Sequence, residues 1–129
     1  MHKSRLAGFI IDCRTGDLEQ AAGFWSRALG YPSSPSDDPA ESNYVQLDTG
    51  PRGLHIEVQR VDHPSRLHLD IETDDIEAEV QRLEALGAKR VGQVRRWWVM
   101  EAPTGQRFCV VRPQSESFDR EANVWEDAT

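Results

Sequence analysis

Two stretches of the chain carry apolar residues at helical spacing, and each follows a short run in which apolar and polar residues alternate. Over residues 17–29, Leu18, Ala21, Ala22, Trp25 and Leu29 fall on one stripe; Asp17 with Gln20 opens the helix and Gly30 ends it. Over 75–86 the stripe is Ile76, Val80, Leu83 and Leu86 or Ala85, with Asp74 and Glu77 spaced as a capping box and Gly87 as the stop. Strands are expected at 9–13 before the first helix and 67–72 before the second. After the first helix come 42–48 and 54–59, and after the second 90–94, 97–102 and 107–112, all bounded by Gly and Pro turns. A further short strand in the first half is expected near Tyr31.

The order strand, helix, strands therefore occurs twice. The closing segments align, Gly53 to Gln59 with Gly105 to Val111, which pairs Glu57 with Cys109. Tyr44 to Asp48 lies against Trp98 to Ala102 if the first copy has two extra turn residues. One copy leaves a sheet face uncovered, and the second copy is the obvious cover. The expectation is an α+β fold of two tandem βαβββ modules in a single domain, 1–129, with module one at about 6–60, module two at about 66–112 and a tail at 113–129. A βαββαβ sheet is the competing arrangement. The Pro- and Ser-rich segment 32–39 reads as a solvated loop or a lid, and Phe118 and Trp125 in the acidic tail suggest a docked strap.

Composition narrows the function. At 129 residues, with 38% hydrophobic and 29% charged positions, the chain is an ordinary folded one. A net charge of −7 repels phosphate backbones and anionic lipid, so neither nucleic acid nor a membrane surface is an expected partner. Arg5, Arg14, Arg52, Arg60, Arg66, Lys89, Arg90, Arg95 and Arg96 are scattered and read as solvated rims. Cys13 and Cys109 form no paired motif and read as reduced thiols, so the expected location is the cytoplasm.

Strand alternation sorts the candidate chemistry. Over 54–59, Leu54, Ile56 and Val58 alternate with His55, Glu57 and Gln59. Over 67–72, Leu69 and Ile71 alternate with His68, Asp70 and Glu72, so each strand is expected to have a helix-packing face and a polar face. His68 and Asp70 share a face, either as a ligand or base with its orienting carboxylate or as a satisfied pair. Glu57 is a candidate general base or a plain strand carboxylate. Cys109 is a soft donor or a small buried hydrophobe. Trp98 and Met100 share one face and Trp97 and Val99 the other, and one indole is expected to wall a binding cleft.

Several motifs carry a resemblance. Arg66-Leu67-His68-Leu69-Asp70-Ile71-Glu72, Leu83-Glu84-Ala85-Leu86-Gly87-Ala88, Ala102-Pro103-Thr104-Gly105-Gln106-Arg107-Phe108-Cys109, and Phe24-Trp25 followed by Ala28-Leu29-Gly30-Tyr31 resemble the glyoxalase-like branch of the glyoxalase/bleomycin resistance/dioxygenase (vicinal oxygen chelate) superfamily, over roughly residues 6 to 112. The resemblance implies a cleft between the modules and, in metal-using members, up to four ligands from the first and last strands of each. Three corners carry over to Glu57, His68 and Cys109. The fourth falls around Gly8 to Ile10, where no side chain binds metal, and Cys109 stands where a carboxylate is usual.

The resemblance thus implies a protein that binds a small, partly apolar molecule, with His55, Glu57, His68, Asp70, Trp98, Met100 and Cys109 as contacts and Glu57 and His68 as the catalytic candidates. No cofactor is expected. If a divalent metal (zinc, iron, manganese or nickel) is present, Glu57, His68 and Cys109 hold it. The alternative is a metal-dependent or Glu57-assisted lyase, isomerase or dioxygenase. A homodimer is expected, with the aromatic tail as a source of contact.

Overall fold

The computed structural model describes residues 1–51 and 53–126; Arg52 and the last three tail positions lie outside the described residues. In chain order the elements are β1 (His2–Cys13), α1 (Leu18–Leu29), β2 (Ser33–Pro35), a 3-10 turn (Pro39–Glu41), β3 (Tyr44–Leu47), β4 (His55–Arg60), β5 (Arg66–Thr73), α2 (Ile76–Ala85), β6 (Lys89–Val94), β7 (Trp97–Glu101), β8 (Arg107–Val111), α3 (Phe118–Glu121) and β9 (Asn123–Trp125). The class is α+β, and the order βαβββ occurs twice. Two compact units divide the chain, one of residues 8–67 and one of residues 1–7 with 68–129, so the first strand serves both.

In the 8–67 unit the strand order is β2-β3-β4-β1. The pairing of β1 with β4 is parallel, with Gly8 opposite His55 and Ile10 opposite Glu57. Ile11, Val45, Leu47, Ile56 and Val58 form a core with Ala22 of α1, against which Leu18, Ala21 and Trp25 pack. Asp17 caps α1 by accepting from the Gln20 amide, and Gly30, at φ 78°, closes the helix in the left-handed region. The short strand expected near Tyr31 lies instead at Ser33–Pro35, inside the stretch read as loop. It forms because Ser33 to Pro35 pair with Leu47 to Val45.

In the other unit β5, β8, β7 and β6 lie in that order, again with a parallel pair, β5 and β8, and antiparallel neighbours. Val80 and Leu83 of α2 pack on Met100, Phe108 and Val110, with Ile71 and Trp98 at the margin. Asp75, one residue later than expected, caps α2 through the Ala78 amide. Asp74 is otherwise engaged, its carboxylate accepting from the Lys3 amide at 2.8 Å.

The tail is a docked strap. β9 pairs with the start of β1, His2 opposite Trp125, and Phe118 is buried. Two fully buried carboxylates anchor the region. Glu72 accepts from Arg5 Nε at 2.8 Å, from the Ser115 hydroxyl at 2.7 Å and from the Gln114 amide at 2.5 Å. Glu79 accepts from Arg82 and from His2 Nε2, each at 2.8 Å, while the Arg82 guanidinium stacks 4.0 Å from the Trp125 ring. Trp125 also donates from Nε1 to the Ser4 hydroxyl. Phe118 and Trp125 of the tail thus make contacts within their own unit. Burial alone would raise the Glu79 carboxyl, but hydrogen bonds from Arg82, His2 and Ser4 outweigh it and hold the group below the usual carboxylate range.

Candidate functional site

The parallel register sets Asp70 beside Cys109, and alternation places His68, two residues before Asp70, on the same face of β5. Across β8, Val99 of β7 stands opposite Cys109, so Trp97 and Val99 flank the same face. His68 Nε2 lies 3.6 Å from Asp70 Oδ1. One ligand atom from each of His68, Asp70 and Cys109 lies within 4.8 Å of the others. Asp70 and Cys109 are buried and His68 is half-buried. The face is therefore a polar trio of imidazole, carboxylate and thiol, bordered by an indole and an aliphatic side chain. Neither Phe108 nor Val110 shares it, because both turn to the α2 core.

Two expectations change here. Met100 is fully buried and pairs with Phe108, and Trp98 pairs with Val110, so both belong to the helix side and not to the face that carries Cys109. Of the two indoles, Trp97 is the one on the polar face. On β5, Ile71 reaches the α2 core as expected, but Leu69 is 51% exposed while Asp70 and Glu72 are buried. The polar side of β5 is the covered one near Glu72 because Arg5, Gln114 and Ser115 satisfy that carboxylate there.

In the 8–67 unit, His55 and Glu57 meet on β4, Nε2 to Oε1 at 2.6 Å. Gln59, next on that face, donates to the Tyr44 hydroxyl at 2.9 Å. His63 lies half-buried in the bend before β5, its Nδ1 2.9 Å from the Pro64 carbonyl oxygen. Cys13, the second thiol, is half-buried; burial pushes it up, the Trp25 contact works against that, and the Asp12 carboxylate adds to the rise.

The two parallel ladders clarify the missing corner. Ile10 stands opposite Glu57 as Asp70 stands opposite Cys109, so a repeat that equates Glu57 with Cys109 equates Gly8 with His68. A Cβ on Gly8 would lie 1.8 Å from the His55 carbonyl oxygen. The corner is closed by backbone, and the four-ligand metal set of the superfamily does not fit this chain. Asp70, left out of the metal set read from the sequence, is the donor that the structure brings to His68 and Cys109. Its signal was its i, i+2 spacing from His68.

The family described as "Glyoxalase-like domain" matches residues 8–111. None of the curated proteins compared matches the chain. Among solved structures the fold is similar to methylmalonyl-CoA epimerase from Mycobacterium tuberculosis, at 16% identity and a TM-score of 0.63 over 86% of this chain and 89% of that one. It is similar to a methylmalonyl-CoA epimerase in complex with methylmalonyl-CoA and NH4+, at 14% identity and 0.59 over 88% and 98%. A glyoxalase/bleomycin resistance protein/dioxygenase superfamily member from Vibrio splendidus 12B01 is 20% identical, with a TM-score of 0.54 over 83% and 98%. Identities this low speak to the fold alone.

Proposed function

This chain belongs to the glyoxalase-like domain family, and we propose that it binds a small, partly apolar molecule on the β5-β8-β7 face. The observation that carries the reading is the convergence of His68, Asp70 and Cys109 within 4.8 Å beside Trp97 and Val99. Buried polar groups gathered on one sheet face favour a ligand that returns their hydrogen bonds, and a rigid indole next to them suits a flat apolar portion. Glu57 and His55 enter the proposal through the sequence repeat, which equates Glu57 with Cys109. The neighbours' coenzyme A ligand gives one class of compound to try, alongside aryl ketones and aromatic carboxylic acids. A homodimer and a cytoplasmic location belong to the same reading; sedimentation at about twice the 14.6 kDa chain mass is the result expected for the first, and sedimentation at the chain mass the result against it.

A second reading is a metal-dependent or Glu57-assisted lyase, isomerase or dioxygenase. Its support is the trio of nitrogen, oxygen and sulfur donors. Around a tetrahedral zinc, with bonds of about 2.0–2.3 Å, donors stand roughly 3.3–3.8 Å apart, so these side chains would have to close by about 1 Å. Bound there, the ion would supply a Lewis acid. Elemental analysis of protein purified without a metal-affinity tag separates the readings, and one equivalent of metal per chain favours the second. Under the first, titration with aryl ketones and aromatic carboxylic acids, followed by tryptophan fluorescence, gives saturable binding that Asp70→Asn or Trp97→Ala weakens about tenfold, the worth of one good contact. Binding that neither substitution changes would overturn it.

A further inference from the structure

Cys109, His68 and Asp70 are by type a nucleophile, a base and a carboxylate that can orient the base, and they come together on one sheet face. His68 and Asp70 form a contact of 3.6 Å, and the thiol is within 4.8 Å of both. Such distances are looser than a working hydrogen bond, as is common before a reactant is bound. The sequence neighbours of Cys109, which would suggest an inert core thiol, point the other way into the α2 core. The thiol's own surroundings are an imidazole, a carboxylate and Val99.

We propose that Cys109 is a nucleophile assisted by His68, with Asp70 as the positioning residue, and that the site takes a soft carbon electrophile such as an α,β-unsaturated carbonyl compound. The proposal rests on the binding reading above and names the class of molecule bound. In the step, the sulfur attacks the carbon β to the carbonyl while His68 accepts the thiol proton. An S–C bond forms, the C=C π pair moves onto the enolate, and the α-carbon takes the proton back from the imidazolium. The net change is addition of S–H across the double bond, with no oxidant, reductant or second reactant. Trp97 and Val99 supply apolar contact for the carbon skeleton. Addition of this kind captures an electrophile reversibly when the carbonyl activates elimination.

Cys13 is the internal control, the more exposed of the two thiols, whose proton loss burial nevertheless opposes and which donates to its own strand at the Ile11 carbonyl. The native protein, stripped of metal with EDTA, is treated with limiting N-ethylmaleimide, and each cysteine is followed by peptide mass mapping. Cys109 should be labelled at least about tenfold faster than Cys13, and His68→Gln should remove at least about tenfold of that rate while leaving Cys13 unchanged. Asp70→Asn should slow Cys109 less, and Asp70→Glu should restore part of the loss. Labelling of Cys13 at an equal or higher rate, or a Cys109 rate indifferent to His68→Gln, overturns the proposal. If His68→Gln does not fold, seen as a jump in Cys13 labelling, Asp70→Asn carries the same comparison, and an unchanged Cys109 rate is then the contrary result. Retained aryl ketone binding with slow Cys109 labelling sinks the nucleophile and leaves the binding reading standing.

Discussion

Gly8 and His55 face each other across the parallel β1-β4 ladder so closely that a Cβ at position 8 would stand 1.8 Å from the His55 carbonyl oxygen. That distance is impossible for any side chain without moving backbone. Gly8→Ala is expected to destabilise the protein by about 1–3 kcal/mol or more, the range for forcing atoms into filled space. Gly8→His, which on the repeat would rebuild a fourth ligand corner, should be worse folded still and gain no metal. Urea denaturation of both variants checks this, and a Gly8→Ala midpoint equal to wild type would contradict it.

Glu79 predicts how stability depends on pH. Its folded-state carboxyl is held below the usual range, so its contribution is fully present above the unfolded value, about 4.3, and is lost as pH falls through the lower folded value. Thermal stability should therefore drop in acid below about pH 4, and Glu79→Gln should flatten that part of the curve. Arg82→Ala, which leaves a buried carboxylate with less compensation, should cost about 3 kcal/mol at neutral pH. A Glu79→Gln profile parallel to wild type would assign the acid loss elsewhere.

Met100 and Trp97 should behave as opposites. Met100 is fully buried against Val80, Leu83 and Phe108, so Met100→Ala should lose about 2–5 kcal/mol. Trp97→Ala, on the polar face, should lose far less stability and more binding. Equal effects in chemical denaturation would show that Trp97 is a core residue after all.

Much of the fold was legible because its signals are local. Both helices lie within a residue or two of their expected spans, and the alignment of Gly53 to Gln59 with Gly105 to Val111 gave the repeat that pairs Glu57 with Cys109. The first half of β1 was not legible: His2, Lys3, Ser4 and Arg5 carry no apolar pattern, and they are extended because β9 and the buried Glu72 and Glu79 hold them, partners 67 or more residues away. The site was half legible. Alternation put His68 and Asp70 on one candidate face and the repeat added Cys109, but choosing between Trp97 and Trp98 needed the β7-β8 register, which no single-strand pattern contains.

The most direct measurement is a fragment screen by 1H–15N correlation NMR on the assigned protein, with aryl ketones, aromatic carboxylic acids and coenzyme A thioesters as the compounds. The account expects the largest shifts at His68, Asp70, Val99 and Cys109 and at the Trp97 indole N–H, while Trp98 and Met100 move little. Shifts that cluster elsewhere in the chain, or that fall on Trp98 and Met100 and spare the His68, Asp70 and Cys109 face, would contradict it.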